Sequence, residues 1–356
     1  MRLRPRRVLP PDPVHRPSPA MEMEEEPMRK PVALAGWIAG LFLATAAPAL
    51  AGPYTMTVCG ASPGGLWSLV GAGLDAAMKA AYPGSTITYQ TSSGGLANVV
   101  QVKGGTCEIG MANDGDLIYA VEGREPFKDK VQGLKAIAVL YDWAPVMWIA
   151  RKDFAEKYGI KDLNDLKTAK PPVRLAFNRR GLLTSAITEA TLEAIGITLD
   201  DIKSWGGTVQ FQASNEQAEL MQNGRIDLLA NTLFEGHRSI AEMAQAVDLA
   251  MVDVPDEAAK KTIEEFHLKP WTIPASAHDW QKKDAKTVTT SIILFADEKL
   301  DEQTAYDITK AMIEHPDRMA AVSSAMSRFK PSIMIDQEAA PFHEGAIRAY
   351  KEAGLM

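Results

Sequence analysis

The sequence predicts an α/β fold with largely parallel sheets, divided between two lobes. Strand patterns and helix patterns alternate through most of the chain, which is typical of parallel strands connected by helices. The length of 356 residues corresponds to about two compact domains. Loops rich in glycine, serine and threonine follow several predicted strands, at the positions where ligands bind in open α/β sheets.

The first lobe is predicted from residue 54 onward. Its first segment alternates with period two, and apolar residues then recur at helical spacing. In chain order we expect strands at 54–59, 86–90 and 108–111 and helices at 66–81 and 96–104. Further strands at 137–140 and 146–150 flank residues 141–143, and we expect this segment to cross between the lobes.

The second lobe continues this alternation. We expect strands at 173–177, 209–211 and 226–230 and helices at 184–195, from about 200 and at 215–222. Residues 286–295 are rich in β-branched side chains and are expected to form the strand that returns to the first lobe. The remaining residues are expected to be mainly helical, with breaks at Pro316 and Pro331.

Residues 28–51 have the order of a secretory signal peptide. Arg29 and Lys30 precede an uncharged, mostly apolar run, and residues 49–51 (ALA) form a small-x-small cleavage site. We therefore expect cleavage after residue 51 and a periplasmic protein, with an uncleaved anchor as the alternative. Residues 1–27 fit no targeting pattern, so we expect translation to start at Met28.

These patterns set the expected domain division. Residues 1–51 form the leader, which includes the signal peptide. The first lobe comprises residues 52–150 together with 285–356, and the second lobe comprises residues 151–284. We find no second apolar run long enough to span a bilayer, so we expect no stable membrane insertion of the mature chain.

The formal net charge of −7 argues against several classes of partner. An acidic surface repels nucleic-acid phosphates and anionic lipid, so no nucleic-acid partner is predicted. The alternative is that this charge serves only solubility.

Cys59 and Cys107 are the two cysteines of the chain. They form no CxxC pair, and no cluster of cysteine and histidine has metal-ligand spacing. Export would permit a disulfide, but we expect two small, buried, unbonded residues near strand ends.

Three small-residue loops between strands and helices are the candidate ligand site. They span residues 62–68, 91–98 and 178–185. Helix N-termini at such loops present free N–H groups and a dipole that favours anions. Glycine lets the backbone approach a ligand, and hydroxyl groups form hydrogen bonds. Each loop taken singly is more often a cap or turn, and the glycine motifs of nucleotide sites are absent, so no cofactor is predicted.

Charged and aromatic side chains extend this candidate site. Arg179 and Arg180 follow the first strand of the second lobe, where they could hold a carboxylate in parallel hydrogen bonds or lie in solvent. Trp67 and Trp143 could line a pocket, or belong to the core or its rim.

Catalysis has little support in the sequence. We find no GxSxG nucleophile elbow and no HExxH helix, and the histidines of the mature chain form no ligand cluster, so no metal is expected. Asp114 and Asp116 follow a predicted strand, and we favour turn capping over general acid–base catalysis for this pair.

Taken together, these segments resemble the TAXI subgroup of substrate-binding proteins from tripartite ATP-independent periplasmic (TRAP) transporters, from about Tyr54 to Lys330. Each short motif is unspecific, but they occur in the family's order and spacing. The segments are 64–71 (GGLWSLVG), 91–98 (TSSGGLAN), 105–114 (GTCEIGMAND), 140–141 (LY), 159–166 (GIKDLNDL), 223–227 (NGRID) and 231–240 (NTLFEGHRSI). The resemblance implies a type II periplasmic-binding-protein fold, in which two α/β lobes and two crossovers clamp a ligand.

The resemblance also implies amino acids or organic acids, such as glutamate or 2-oxoglutarate, as ligands delivered to TRAP membrane subunits. This chain departs from the family pattern at the ligand site. Trp67 and Ser68 stand where paired tyrosines are frequent, and residues 181–184 (GLLT) stand where Gly-Ser-Gly-Thr is frequent. Gly236 and Arg238 stand where prolines are frequent. The two leucines remove a hydroxyl and close backbone access, so the ligand need not be glutamate.

We therefore predict a solute-binding protein, not an enzyme, that captures a small organic anion (a dicarboxylate, 2-oxo acid or amino acid) and delivers it to a membrane permease. The alternatives are a ligand-binding sensor partner of a membrane receptor, or an enzyme on the same fold. The predicted ligand-binding residues, none of them catalytic, are Ser62, Gly64, Gly65, Trp67, Ser68, Ser92, Ser93, Asn98, Asn113, Asp114, Tyr141, Asn178, Arg179, Arg180, Thr184, Asn231, Phe234 and His237.

Overall fold

The computed structural model describes residues 52–61 and 65–356. The predicted signal peptide, its cleavage site and the start at Met28 lie outside the described residues, as do Ser62 and Gly64 of the first candidate loop. Within the described part of the chain, no helix is both long enough and apolar enough to cross a membrane.

Strands and helices alternate along the described chain. The strands are β1 (Thr55–Cys59), β2 (Thr86–Gln90), β3 (Ile109–Asn113), β4 (Leu134–Arg151), β5 (Arg174–Phe177), β6 (Thr208–Phe211), β7 (Leu228–Thr232), β8 (Leu249–Met251), β9 (Lys269–Ile273) and β10 (Ala285–Asp297). The helices are α1 (Leu66–Ala81), α2 (Gly95–Lys103), α3 (Asp114–Glu122), α4 (Lys152–Tyr158), α5 (Leu163–Ala169), α6 (Leu183–Ala194), α7 (Leu199–Ser204), α8 (Ser214–Gln222), α9 (Arg238–Ala246), α10 (Asp256–Phe266), α11 (Glu302–Glu314), α12 (Pro316–Ala320) and α13 (Glu344–Glu352).

The strands form two halves with the same arrangement. The order is β2-β1-β3-β10-β4 in the first half and β6-β5-β7-β4-β8 in the second. In each half the first three strands are parallel, and the fourth is antiparallel to both of its neighbours. This is the predicted α/β architecture, a two-lobed type II periplasmic-binding-protein fold with mixed sheets.

The long strands β4 and β10 carry the chain between the two halves. β4 pairs with β10 as far as Pro145 and with β7 from Val146 onward. The predicted pair of strands around residues 141–143 is one continuous strand, because backbone pairing to β10 persists there through register shifts. The two sheets are therefore joined along these strands. The exact lobe boundaries, at residues 150 and 285, stay a prediction.

Helix α1 illustrates how the sequence pattern becomes packing. Leu66, Val70, Leu74 and Met78 recur at helical spacing, and all four side chains are buried. They pack with strand residues in the core of the first half. Burial of each such side chain contributes roughly 1.5–3 kcal/mol to stability. This face fixes the position of the N-terminus of α1 in the first half.

The sequence patterns do not predict α9, β8, α10 or β9. In α10 the buried residues are Ala258, Thr262 and Phe266, a narrow stripe within a strongly charged sequence. The strand β8 has three residues. It pairs only with the last residues of β4, and β9 pairs only with the first residues of β10, so the alternation in both sequences is weak. Together these elements complete the second half between β7 and the return strand β10.

The prediction that the two cysteines are unbonded is wrong. Cys59 and Cys107 form a disulfide, with their Cα atoms 5.8 Å apart. Cys59 ends β1 and Cys107 lies just before β3, and these strands are hydrogen-bonded neighbours. The pairing of the strands therefore places the two sulfur atoms together. Both residues are buried, as predicted.

Candidate ligand-binding cleft

The candidate loops of the two halves meet at one place. A Cβ atom at Gly94, before α2, would lie 3.2 Å from Cδ2 of Leu182, before α6. A Cβ atom at Gly115, in the first turn of α3, would lie 2.7 Å from Cδ2 of Leu183. Gly94 also has a φ of +108°, a conformation that L side chains rarely adopt. The structure thus brings the predicted loops of both lobes into contact.

Three of the helices that begin at these loops lack a side-chain cap. Gly65 precedes α1, Gly94 precedes α2 and Leu182 precedes α6, and in the described chain none of these residues caps the helix with a side chain. Uncapped N-termini leave backbone N–H groups for another acceptor, and the helix dipole favours an anion there.

The second candidate loop is held by its own polar side chains. The hydroxyl of Ser92 donates to the carbonyl of Gly60 at 2.6 Å, and the Nδ2 atom of Asn98 donates to the same carbonyl at 2.7 Å. Asn98 is fully buried and also donates to the carbonyl of Met111 at 2.7 Å. Ser93 is exposed. Ser92 and Asn98 therefore hold Gly60, directly after β1, against the loop that follows β2.

Around α1 and β4, aromatic side chains form a group at the first half of the cleft. Trp67 interacts with Tyr141, whose ring centroid lies 5.9 Å from that of Trp143. Burial raises the pKa of Tyr141 far above its usual value, so the hydroxyl stays protonated. Trp67 is half-buried and Trp143 is a core residue. Ser68, in the first turn of α1, donates its hydroxyl to the carbonyl of Gly65 at 2.8 Å.

Asn113 and the two aspartates join β3, α3 and the crossover strand β10. The main-chain N–H of Asn113 donates to Oδ2 of Asp116 at 3.0 Å, and its Nδ2 donates to the same atom at 2.8 Å. The predicted capping role of this acidic pair is therefore confirmed for Asp116. The hydroxyl of Thr290 donates to Oδ1 of Asn113 at 3.0 Å.

The buried carboxyl group of Asp114 is hydrogen-bonded to the crossover strand β10. Its Oδ2 accepts the N–H of Ser291 at 3.0 Å, and its Oδ1 accepts the N–H of Gly115 at 2.9 Å. Burial raises the pKa of Asp114 to about 7 and that of Asp116 to about 6. The Asp114 carboxyl thus links the first turn of α3 to the strand that connects the two halves.

On the second lobe, the predicted asparagines form one network. The Nδ2 atom of Asn178 donates to Oδ1 of Asn231 at 2.9 Å. Asn231 in turn donates to Oε1 of Gln217 at 2.8 Å and to the hydroxyl of Ser214 at 2.9 Å. This network positions the loops after β5 and β7 relative to α8.

Thr184 and Thr232 pair across the same two loops, through hydroxyl oxygens 3.1 Å apart. The sequence patterns did not single out Thr232, the last residue of β7, or Thr290, which lies within β10.

Arg179 and Arg180 differ in their surroundings. The Arg180 guanidinium lies 3.7 Å from the ring centroid of Phe211 and 3.9 Å from a carboxylate oxygen of Glu189. Its side chain is nevertheless 66% exposed. The Arg179 side chain is exposed and has no partner among residues 52–61 and 65–356. Of the two arginines in this loop, Arg179 is therefore the one whose guanidinium has no partner in the described chain.

The loop after β7 reaches from the second lobe to the first. Phe234 packs against the core of the first half, and Glu235 forms an ion pair with Arg328 at 2.7 Å. His237 caps α9, where its Nδ1 accepts the N–H of Ser239 at 3.1 Å, and its ring lies 4.9 Å from that of Phe234. Burial lowers the pKa of His237. The ring is thus neutral near neutral pH and adds no positive charge to the cleft.

Two surface depressions lie elsewhere on the second lobe, around Arg151 and Asp153. Their charged walls are already paired, as in the ion pairs of Arg151 with Asp153 and of Arg174 with Asp227. The uncapped helices α2 and α6 begin where the loops meet, so this point is the candidate site.

The comparisons with known proteins agree with this two-lobed α/β fold. A model of the NMT1-like family matches residues 58–354, so the chain belongs to that family. The chain is similar to the periplasmic binding protein BugD, with 14% identity and a TM-score of 0.50 over 85% of this chain and 98% of that chain. It is also similar to MatC from Rhodopseudomonas palustris, solved with bound malate, with 12% identity and a TM-score of 0.52 over 85% of this chain and 96% of that chain. At these identities the likeness concerns the fold.

Proposed function

We propose that this protein is an extracytoplasmic solute-binding protein of a TRAP-type transporter, of the TAXI subgroup, which captures a small organic anion and delivers it to the membrane subunits. The proposal rests on the contact between the loops of the two lobes at Gly94 and Leu182. It also rests on the uncapped N-termini of α1, α2 and α6, and on the exposed Arg179 side chain, which has no partner in the described chain. Helix N-termini and guanidinium groups both bind carboxylates. Membership of the NMT1-like family agrees with a binding role.

A transport role fits the arrangement better than catalysis. The carboxyl groups at the cleft are used in structure, since Asp116 caps α3 and Asp114 accepts two main-chain N–H groups. MatC, which has a similar fold, was solved with malate, itself a small organic anion. We infer that an anion occupies the corresponding cleft here, in a protein exported by the signal peptide at residues 28–51.

The predicted site residues divide into two groups under this proposal. Arg179, Asn178 and Thr184 contact the ligand from the second lobe, together with the N-termini of α1 and α2 from the first. Asn98 and Asn231 act by holding the loops in place, because both are buried and hydrogen-bonded within their own lobes.

The test is to identify the ligand carried through purification. Protein isolated without added ligand is denatured, and the released small molecules are identified by mass spectrometry. We expect a small organic anion, released chemically unchanged, at close to one equivalent. Recovery of a cation or an uncharged molecule would contradict the proposal.

A matched pair of variants makes this test specific to the cleft. Arg179→Gln protein should carry much less of the anion, whereas Arg180→Gln protein should carry as much as the wild type. Circular dichroism should show that both variants fold. Equal loss of ligand from both variants would contradict the proposal that Arg179 binds the anion.

A further inference from the structure

The loop after β7 reaches the first lobe through two consecutive side chains. Phe234 packs against the core of the first half. Glu235 forms an ion pair with Arg328, and its Oε2 atom lies 2.7 Å from Nη2 of the arginine. The main-chain N–H of His237 then donates to the carbonyl of Phe234 at 3.1 Å, where the chain turns into α9. The loop is thus a short projection of the second lobe that ends on the first.

Each partner of this ion pair is held by the core of its own lobe. Met326 and Phe329, on either side of Arg328, are buried in the core of the first half. Leu233 and Ile240, on either side of the loop, are buried in a core cluster of the second half. The distance between the two charged groups therefore depends on how the two lobes are arranged.

The loop begins beside the point where β4 passes from one sheet to the other. The N–H of Leu233 donates to the carbonyl of Pro145 at 3.1 Å. Pro145 is the last residue of β4 that pairs with β10, and Val146 is the first that pairs with β7. Phe234 and Glu235 extend from this point to the first lobe, so rotation of the lobes about the crossover strands would change their contacts there.

The carboxylate of Glu235 depends on Arg328 for its charge balance. The Glu235 side chain is 17% exposed, whereas that of Arg328 is 48% exposed. Oε2 of Glu235 is bound to Arg328, and Oε1 is buried without a hydrogen-bond partner in the described chain. A buried carboxylate without a cation is strongly unfavourable. Without Arg328, the loop would have to move away from the first lobe for Glu235 to reach water.

We propose that Phe234, Glu235 and Arg328 form an interlobe clasp that favours the closed arrangement of the lobes, with or without a ligand. In the ligand-free protein the clasp raises the closed fraction without fixing it, so a ligand still shifts the lobes further toward closure. The clasp acts by joining the lobes, so its effect is independent of the identity of the ligand and of the proposed transport role.

Removal of the arginine tests the interlobe clasp on ligand-free protein, prepared by unfolding in guanidinium, dialysis and refolding without reductant. We expect Arg328→Gln to have a larger radius of gyration than the wild type by small-angle X-ray scattering. Amide hydrogen exchange in residues 233–237 should also be about fivefold faster or more, because loss of the ion pair frees the loop. Exchange within α11 should not change.

Three further variants make the test specific to the ion pair. Arg348→Gln is the matched control, because Arg348 is 39% exposed and pairs with Glu302 inside the first lobe; it should keep the wild-type radius. Glu235→Ala removes the pair without leaving a buried charge, so it should open the lobes less than Arg328→Gln does. Arg328→Lys keeps the positive charge and should restore the wild-type radius. Thermal melting shows whether each variant folds.

A wild-type radius of gyration in folded Arg328→Gln protein would overturn the proposal, even with faster exchange in the loop, since the pair would then hold only the loop. An equal increase in Arg348→Gln would overturn it too. If Arg328→Gln does not fold, a wild-type radius in Glu235→Ala has the same meaning. These measurements involve no ligand, so their failure leaves the proposed solute-binding role to the test by mass spectrometry.

Discussion

Two neighbouring arginines occupy different environments, and of the two only Arg180 contacts other side chains in the described chain. Sequence reasoning placed Arg179 and Arg180 together as a candidate carboxylate clamp and could not separate them. The structure separates them, because Arg180 turns to Phe211 and Glu189. The direction of each side chain depends on which residues the fold brings next to it, and the sequence alone does not show that Phe211 and Glu189 lie beside Arg180.

Arg179→Ala is expected to weaken binding of the native ligand by about tenfold or more. A hydrogen bond to a charged group contributes about 1.5–3 kcal/mol. Arg180→Ala should change affinity by less than about fivefold, since exposed ion pairs contribute under about 1 kcal/mol. Calorimetry with the identified ligand measures both. A large loss for Arg180→Ala with wild-type binding for Arg179→Ala would reverse the assignment.

The raised pKa of Asp114 predicts how the free energy of unfolding depends on pH. Burial raises the pKa of Asp114 to about 7, whereas an aspartate in an unfolded chain titrates near about 3.9. Between these values the folded state keeps a proton that the unfolded state releases, so stability is lost as the pH rises. Asp114→Asn has no proton to lose. We expect its free energy of unfolding to fall less than that of the wild type between about pH 4 and about pH 7.

Urea denaturation at both pH values measures this difference. Asp116→Asn is the comparison variant, because burial also raises the pKa of Asp116, to about 6. An identical pH dependence for wild type and Asp114→Asn would show that Asp114 is ionised in the folded protein and would remove its proposed protonated state.

At the scale of elements, the strongly periodic segments were predictable and several elements with weak patterns were not. The helix α1 and the strands β1 and β2 match the predicted ranges within a residue, because their sequences show the spacing of a helix or the alternation of a strand. β8 has three residues, and both β8 and β9 depend on pairing with the longer strands β4 and β10, so neither has a clear pattern of its own. The disulfide was missed for a similar reason, since only the pairing of β1 with β3 brings Cys59 to Cys107.

The disulfide should make a large contribution to stability. It closes a loop with a sequence separation of 48 residues, for which chain entropy predicts about 4 kcal/mol. The Cys59→Ala/Cys107→Ala double variant should therefore lose a free energy of unfolding of about 2–4 kcal/mol. Guanidinium denaturation measures the loss. A reductant should destabilise the wild type and leave the double variant unchanged; a wild type indifferent to reductant would contradict the bond.

At the scale of the whole molecule, the two halves repeat one strand arrangement and share β4 and β10. The class of fold was predictable from the alternation of strands and helices and from the order of the glycine loops. The loops that border the cleft were predictable, but their contacts were not. Leu182 and Leu183 contact glycines that are distant in sequence, and these contacts depend on the packing of both lobes.

We predict that the lobes move relative to each other about the two crossover strands. A ligand that contacts both lobes would stabilise the closed arrangement, because some of its contacts exist only when the lobes are together. Within the protein, Phe234 packs against the first-lobe core and Glu235 pairs with Arg328, so these contacts also join the two lobes.

The central claim is that a solute binds between the two lobes, and small-angle X-ray scattering tests it most directly. The radius of gyration is measured for ligand-free protein and for protein saturated with the ligand identified by mass spectrometry, with the Arg179→Ala variant at the same ligand concentration as the control. We expect the radius of gyration of the wild type to be smaller with ligand than without it, and that of the variant to stay unchanged. An unchanged radius for the wild type at proven saturation would contradict it.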